Sequence, residues 1–387
     1  MKKSNKRLNR GIGMAAGILI FLYPATLASG GRIDQNSPFT LKEIRRIDFR
    51  DLPEKIDFTN PSRIALNSKN ELFVTDTRAN NIKIFDAEGK FLKVIGREGQ
   101  GPGDLSRPSG ITFNGTYIIV WELGNRRFSI FSEDGGFIRH LRPEEPDVVW
   151  KLKPLENGQV LFETREGYCE REKTVIHILD KELKKEDVFY SHPIKRERYE
   201  NKINDDLKIP YGPLVSWNVM GGNKIVIGYQ EEYSIDVFSP DKEKLFSIER
   251  KSKRVKVTQK DKKDYFSSLM YVTNGQTVQG APPEIRNYTE FPKFKPYYKN
   301  ILVFPENDIW VFLYAESDDQ KLVDIFDRDG KFVKQIEFDK NIGYRPIFAA
   351  DGTLWTVIED EAGYNVIVQY KILSHKPGDK RDLSPIN

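Results

Sequence analysis

Residues 61–95 read PSRIALNSKNELFVTDTRANNIKIFDAEGKFLKVI, and residues 108–141 read PSGITFNGTYIIVWELGNRRFSIFSEDGGFIRHL. Laid over one another, both run Pro-Ser-x-Ile, a polar turn, then an apolar strand ending in an acid (Asp76, Glu122). An Asn-bearing turn, a strand ending in Phe (Phe85, Phe131), a Gly-containing turn and a last strand complete each unit. Period-2 alternation between Gly, Asn and Asp turns predicts four short strands per unit. Self-similarity at a fixed spacing is the signature of a repeat architecture. Worn copies of the same frame occupy residues 150–190, 216–249, 298–337 and 344–372, so six units are expected. With the long insertions 191–214 and 250–297 set aside, about 40 residues remain per unit, close to the ~40–45 of four-stranded propeller blades.

The sixth copy is one strand short, and the tail after it, SHKPGDKRDLSPIN, is polar. An unused alternating segment, FTLKEIRRIDF, stands at residues 39–49. Pairing it with the last copy would supply the missing strand and remove an open sheet edge. The expected fold is all-β: a six-bladed β-propeller of four-stranded antiparallel blades over residues 38–373, its last blade completed by the N-terminal strand. A linker at 29–37 precedes it and a tail at 374–387 follows.

The lead-in Gly99-Gln100-Gly101-Pro102-Gly103-Asp104-Leu105-Ser106-Arg107-Pro108-Ser109-Gly110-Ile111 and the run Leu72-Phe73-Val74-Thr75-Asp76 to Asn80-Asn81-Ile82-Lys83-Ile84-Phe85 resemble NHL repeats. The resemblance is specific over about residues 60–142 and fades in the other blades. The whole chain is similar to bacterial exported six-bladed propellers with NHL-like blades. That resemblance implies a fold and no single function.

The first 28 residues have another character. Lys2, Lys3, Lys6, Arg7 and Arg10 form a basic region, Gly11–Tyr23 an apolar core, and Thr26-Leu27-Ala28 a small-residue cleavage site. This is the layout of a secretory signal with cleavage after Ala28. The protein is therefore expected to be exported, periplasmic or extracellular. It would meet a membrane only if the signal stayed on. The apolar core is shorter than the ~20 residues of a spanning helix.

The chain carries 61 basic and 57 acidic side chains, a formal net charge of +4 over 387 residues. Some NHL-type propellers bind RNA on a basic face, but such a balance provides no chain-wide field for nucleic acid, and the export signal also argues against that partner. One cysteine, Cys169, excludes an intramolecular disulfide and a cysteine-based zinc site.

In a four-stranded meander the blade-to-blade connections and the second-to-third-strand turns share one face. The Gly-rich 96–107, the charged 191–214 and the long 250–297 are all blade-to-blade connections, so all three elaborate that face. Long loops on a rigid scaffold commonly carry binding. The last insertion opens with Arg250, Lys251, Lys253, Arg254 and Lys256. Thr258 with Asp261 is placed to cap a helix running to about Met270, whose Tyr265, Phe266, Leu269 and Met270 would share the side docked on the propeller. Tyr288, Phe291, Phe294, Tyr297 and Tyr298 follow among prolines and lysines. The segment reads either as a basic, aromatic lid over the channel or as a packing clasp.

The inner strands are expected to begin near Ser62, Ser109, Trp150, Trp217, Lys299 and Arg345. The candidate ligand-binding residues at the axial mouth are Arg63, Trp150, Trp217, Tyr298, Lys299 and Arg345, aromatics and cations suited to a polar or anionic ligand. The tryptophans read equally well as core. Enzymes of this fold, including lactonases, esterases and lyases, generally use an axial metal. Here the inner-strand starts offer no carboxylate or histidine, and His140, His177, His192 and His375 are scattered. Glu98, Asp104, Glu122, Glu166, Glu231 and Glu359 are the same-face carboxylates that calcium would use. No nucleophile elbow, phosphate loop or zinc-protease motif is present, and Gly99-x-Gly101-x-Gly103 opens a strand rather than a dinucleotide-binding helix. The expectation is a monomeric, non-catalytic scaffold without cofactor that binds a protein, peptide or glycan. The alternative is a metal-dependent, lactonase-like hydrolase or lyase with an axial site.

Overall fold

The computed structural model describes residues 39–52, 56, 58–143, 148–167, 172–194, 210–273, 276–304, 306–316, 321–337, 342, 346–349 and 351–374. The signal segment, Cys169, Arg345 and His375 lie outside these. Strand β1 (Phe39–Ile47) comes first. Blade 1 comprises β2 (Pro61–Leu66), β3 (Leu72–Asp76), β4 (Asn81–Phe85) and β5 (Phe91–Ile95), and blade 2 comprises β6 (Pro108–Phe113), β7 (Tyr117–Glu122), β8 (Arg127–Ser132) and β9 (Phe137–Leu141). Blade 3 is β10 (Lys151–Pro154), β11 (Val160–Glu166), β12 (Lys173–Leu179) and β13 (Glu186–Pro193); blade 4 is β14 (Val215–Met220), β15 (Lys224–Tyr229), β16 (Ser234–Phe238) and β17 (Lys244–Glu249). A short hairpin, β18 (Met270–Thr273) and β19 (Gln276–Gln279), belongs to the insertion. Blade 5 follows as β20 (Tyr298–Val303), β21 (Ile309–Leu313), β22 (Leu322–Phe326) and β23 (Phe332–Glu337). Blade 6 is β24 (Ile347–Phe348), β25 (Leu354–Glu359) and β26 (Asn365–Ser374), with β1 as its outermost strand.

The closing strand is therefore the one expected. β1 pairs antiparallel with β26 from Phe39 opposite Ser374 to Ile47 opposite Ile367, with a bulge at Ile44. The bulge sends Arg45 across the seam. Its guanidinium donates to the Ala87 carbonyl in the β4–β5 turn of blade 1 at 2.6 Å and to Gln369 Oε1 at 2.7 Å. Gly89 makes room for it. Its φ is +81°, and a Cβ there would meet Arg45 Cδ at 2.8 Å. Asn365 reaches Pro61 O across the same seam. Clefts of about 260 and 340 Å3 flank β1 where it meets the turn at residues 86–90.

The core is divided among six clusters, one between each pair of neighbouring blades. Strand β3 shows how the sequence pattern builds them: Leu72 and Val74 face Trp355 and Ile367 of blade 6, while Phe73 faces Ile111 and Val120 of blade 2. Both faces of a middle strand are thus buried, as in stacked sheets generally. Each such side chain contributes about 1.5–3 kcal/mol. Trp121, Trp217, Trp310 and Trp355 are all at most 2% exposed. The outermost strands are half solvated: Leu92, Val94, Ile138 and Val188 stand exposed, which is why their alternation reads weakly.

Residues Thr258–Thr289 of the insertion form a compact unit separate from the propeller unit, which the chain leaves at Val257 and re-enters at Glu290. Within it, helix α1 (Gln259–Ser268) starts at the expected capping box. The Thr258 hydroxyl accepts from Asp261 N–H, and the Asp261 carboxylate accepts from Thr258 N–H. The helix stops earlier than expected. Leu269 is extended and Met270 opens β18, where it is 53% exposed. Tyr265, Phe266, Leu269 and Met270 therefore do not share one helix face. The serines explain the end: Ser267 and Ser268 donate back to the Asp264 and Tyr265 carbonyls, a local competition that weakens helix propagation. Helix α2 (Pro283–Tyr288) follows, with Arg286 over the Phe266 ring at 5.8 Å.

Candidate binding face

The repeat acids come to the face that carries the blade-to-blade connections, and both are fully engaged. Asp76 accepts from the backbone N–H groups of Thr59, Asn60 and Ala79 and from Lys83 Nζ at 2.7 Å. It is 0% exposed and Lys83 1%. Burial alone would push its carboxyl up, but the Lys83 ammonium and the amide donors hold it below the ordinary value. Glu122 is the counterpart in blade 2. It accepts from Arg127 Nε at 2.8 Å, Ser106 N–H, Asn125 Nδ2 and the Ser129 hydroxyl. Arg127 continues to the Gln100 and Asp104 carbonyls. The Gly-rich lead-in 96–107 is thus folded onto these side chains, and Leu105 is sealed in the core between blades 1 and 2. In blades 1 and 2 the signature residues lock the blade to the connection that precedes it.

Two other same-face carboxylates, Asp104 and Glu166, are likewise committed. Asp104 pairs with Arg97 at 2.9 Å and accepts from Gly101 N–H, which together hold its carboxyl low. Glu166 meets Lys173 at 3.0 Å and His177 at 3.1 Å. Among the described residues no group of three or more His, Cys, Asp or Glu is placed to hold a metal ion. His177 is buried, stacked on Phe162 at 4.5 Å and 2.8 Å from Glu186. His140 packs on Phe137 beside Ser129, and burial pushes its imidazole down. Strand β13 runs through Pro193, so His192, expected in an insertion, instead pairs with Thr174 in the sheet and packs 4.1 Å from the Tyr229 ring.

The residues expected at the axial mouth divide. Trp217 is 0% exposed in the cluster between blades 3 and 4, its Nε1 donating to Glu163 Oε2 at 2.7 Å. Tyr298 is 0% exposed between blades 4 and 5, and its hydroxyl is seated against Gly228, where a Cβ would lie 2.3 Å away. These two are packed core rather than lining. The alternation decides this: each sits on the inward register of its strand, facing the neighbouring blade. Burial raises the Tyr298 phenol. Trp150 is half-buried under Arg165, 4.5 Å from the ring, and Lys151 lies over Trp217 and donates to its carbonyl. Arg63 is half-buried and donates to Ser62 O at 2.7 Å beside the chain Ser62–Thr77–Pro108 O that stitches blades 1 and 2. Lys299 is exposed, 5.3 Å from the Tyr314 ring. Arg63, Trp150 and Lys299 thus remain at the surface on three different blades, each already in contact with a protein group.

A second constellation, between blades 4 and 5, is legible only in three dimensions. The segments on either side of the insertion pair with each other: Lys295 N–H donates to Val255 O at 2.8 Å, Val257 N–H to Lys293 O at 3.2 Å, and Lys256 bridges Phe294. Arg254 donates to the Lys295 and Phe294 carbonyls and lies 5.6 Å from the Tyr297 ring. Lys295 is buried over Tyr211 and Tyr314, at 5.4 and 5.7 Å. Arg250 closes on Asp324 at 2.9 Å, an acid that also accepts from the buried Tyr233 hydroxyl and from Gln335. The basic run at 250–256 was visible in the sequence. Its ladder with 291–295 and the contribution of Tyr211 and Tyr314 were not.

Comparison with known proteins agrees with this architecture. A family model described as a 6-bladed beta-propeller matches residues 38–211. A stretch of 85 residues, 21% of this chain, is 36% identical to Protein brain tumor of Drosophila melanogaster and spans 8% of that protein. Among solved structures, a member of the duf4221 family from Bacteroides vulgatus superimposes with a TM-score of 0.52 at 17% identity, covering 87% of this chain and 99% of that one. A Bacteroides fragilis protein described as exported gives 0.52 at 14% identity, covering 89% of this chain and 98% of that one. The chain is a six-bladed β-propeller of four-stranded antiparallel blades, closed by its N-terminal strand.

Proposed function

We propose that this protein is a non-catalytic, exported propeller scaffold that binds a protein, peptide or glycan through the face of its blade-to-blade connections. The observation that carries this reading is the basic, aromatic ladder of 250–257 with 291–299 in the connection from blade 4 to blade 5, while the repeat acids of blades 1 and 2 are spent on internal bonds. A carboxylate already satisfied by an arginine or lysine and several amide donors is a poor base or metal ligand. Loops fixed to a rigid wheel are, by contrast, suited to recognition. Export is supported by the leader at residues 1–28, and one structural relative is described as exported. No helix among the described residues is long and apolar enough to cross a membrane.

The test compares the full chain with a variant in which residues 252–296 are replaced by a short turn, on peptide and glycan arrays. The deletion should abolish the binding that the full chain shows, while the propeller still melts in one cooperative transition. Equal binding by both proteins would refute the assignment of the face.

A further inference from the structure

We infer that the paired segments 250–257 and 291–299 form a docking strip for an acidic, carboxylate-bearing polysaccharide; this rests on the connection-face reading above. These seventeen residues hold eight cations (Arg250, Lys251, Lys253, Arg254, Lys256, Lys293, Lys295 and Lys299) and no acid, on a chain whose net charge is only +4. The strip therefore carries twice the charge of the whole molecule. Three of the cations have structural duties: Arg250 on Asp324, Arg254 on two carbonyls of the opposite segment, and buried Lys295. The other five, Lys251, Lys253, Lys256, Lys293 and Lys299, are exposed. Among the described residues Lys251, Lys253, Lys256 and Lys293 make no ion pair.

Partly buried Phe291, Phe294 and Tyr297 lie between these lysines, and Lys293 stands 5.4 Å from the Phe294 ring. Lys256 lies beside Phe294 across the backbone bridge. The strip thus offers exposed, separated positive charges with aromatic rings among them. That pattern suits a polymer bearing a carboxylate on each ring-shaped unit, the charge meeting lysine and the C–H face of the sugar meeting an aromatic ring. Charges spread over two paired segments suit an extended chain rather than a small molecule, which prefers a concave site. Nucleic acid fits less well, because the nearly neutral chain lacks the wide positive field that polyphosphates require.

The experiment uses the full chain and measures affinity for polygalacturonate, with neutral dextran, polyglutamate and single-stranded RNA as further probes. One variant reverses the strip (Lys251→Glu, Lys253→Glu, Lys256→Glu, Lys293→Glu). The other reverses four exposed lysines in the third-to-fourth-strand turns of the opposite face (Lys90→Glu, Lys181→Glu, Lys185→Glu, Lys331→Glu). Polygalacturonate should bind and dextran should not. Affinity should fall with added salt and drop about tenfold or more in the strip variant, while the opposite-face variant binds as the parent does. The inference is overturned if polygalacturonate does not bind, if both variants lose equally, or if RNA or polyglutamate binds more tightly. It is overturned too if the strip variant binds normally while the 252–296 replacement does not, a result that would leave the scaffold reading standing.

Discussion

Asp76 and Lys83 show what the repeat signature is for. Neither side chain touches water, and each is tolerable there only because the other neutralises it. Asp76→Ala should cost about 3–5 kcal/mol by leaving a buried ammonium unpaired, read as a lower guanidinium midpoint. Replacing both partners with apolar residues (Asp76→Leu with Lys83→Met) should recover only part of this. The amides of Thr59, Asn60 and Ala79 would still lose their acceptor. The sign of the pH effect follows from the depressed Asp76 carboxyl. Its contribution is complete above the ordinary carboxylate value of about 4 and fades as the pH falls through the lower folded value. The acid limb of the stability curve should therefore shrink in Asp76→Ala.

At the scale of elements, blade 6 is where the wheel is assembled from the two ends of the chain. Three devices hold it: the β1–β26 ladder, Arg45 reaching Ala87 and Gln369, and Arg50 joining Asp48 and Asp360. Arg50 holds the Asp48 carboxyl below the ordinary range; Asp360 is lowered first by the Tyr364 amide and then by Arg50. Arg45→Ala should cost about 1–3 kcal/mol and raise hydrogen exchange in Val366–Tyr370 while that of blades 2–4 stays unchanged. A uniform rise through all blades would show that closure and the other interfaces form one cooperative unit. The seam was legible as a missing strand at one end and a spare one at the other. The bulge that aims Arg45 was not, because a single extra residue alters no periodicity long enough to read.

For the molecule as a whole, the leader makes a distinct prediction. Protein recovered from the periplasmic or culture fraction of a bacterial host should begin at Ser29, as determined by intact mass. Full-length mass in the membrane fraction would show that the leader stays as an anchor.

The amino-acid sequence alone determined the repeat number, the four-strand blade, the closing strand and the shared face of the connections. These follow from short-range periodicity and from the parity of a meander, which need no tertiary information. The three-dimensional structure alone decided which polar residues are spent and which remain at the surface. Trp217 and Tyr298 are equally suited to a mouth or a core until the neighbouring blade covers them. Lys256 and Phe294 stand far apart in the chain until backbone bonds set them side by side. Burial and long-range pairing depend on where other blades lie, and no local pattern encodes that.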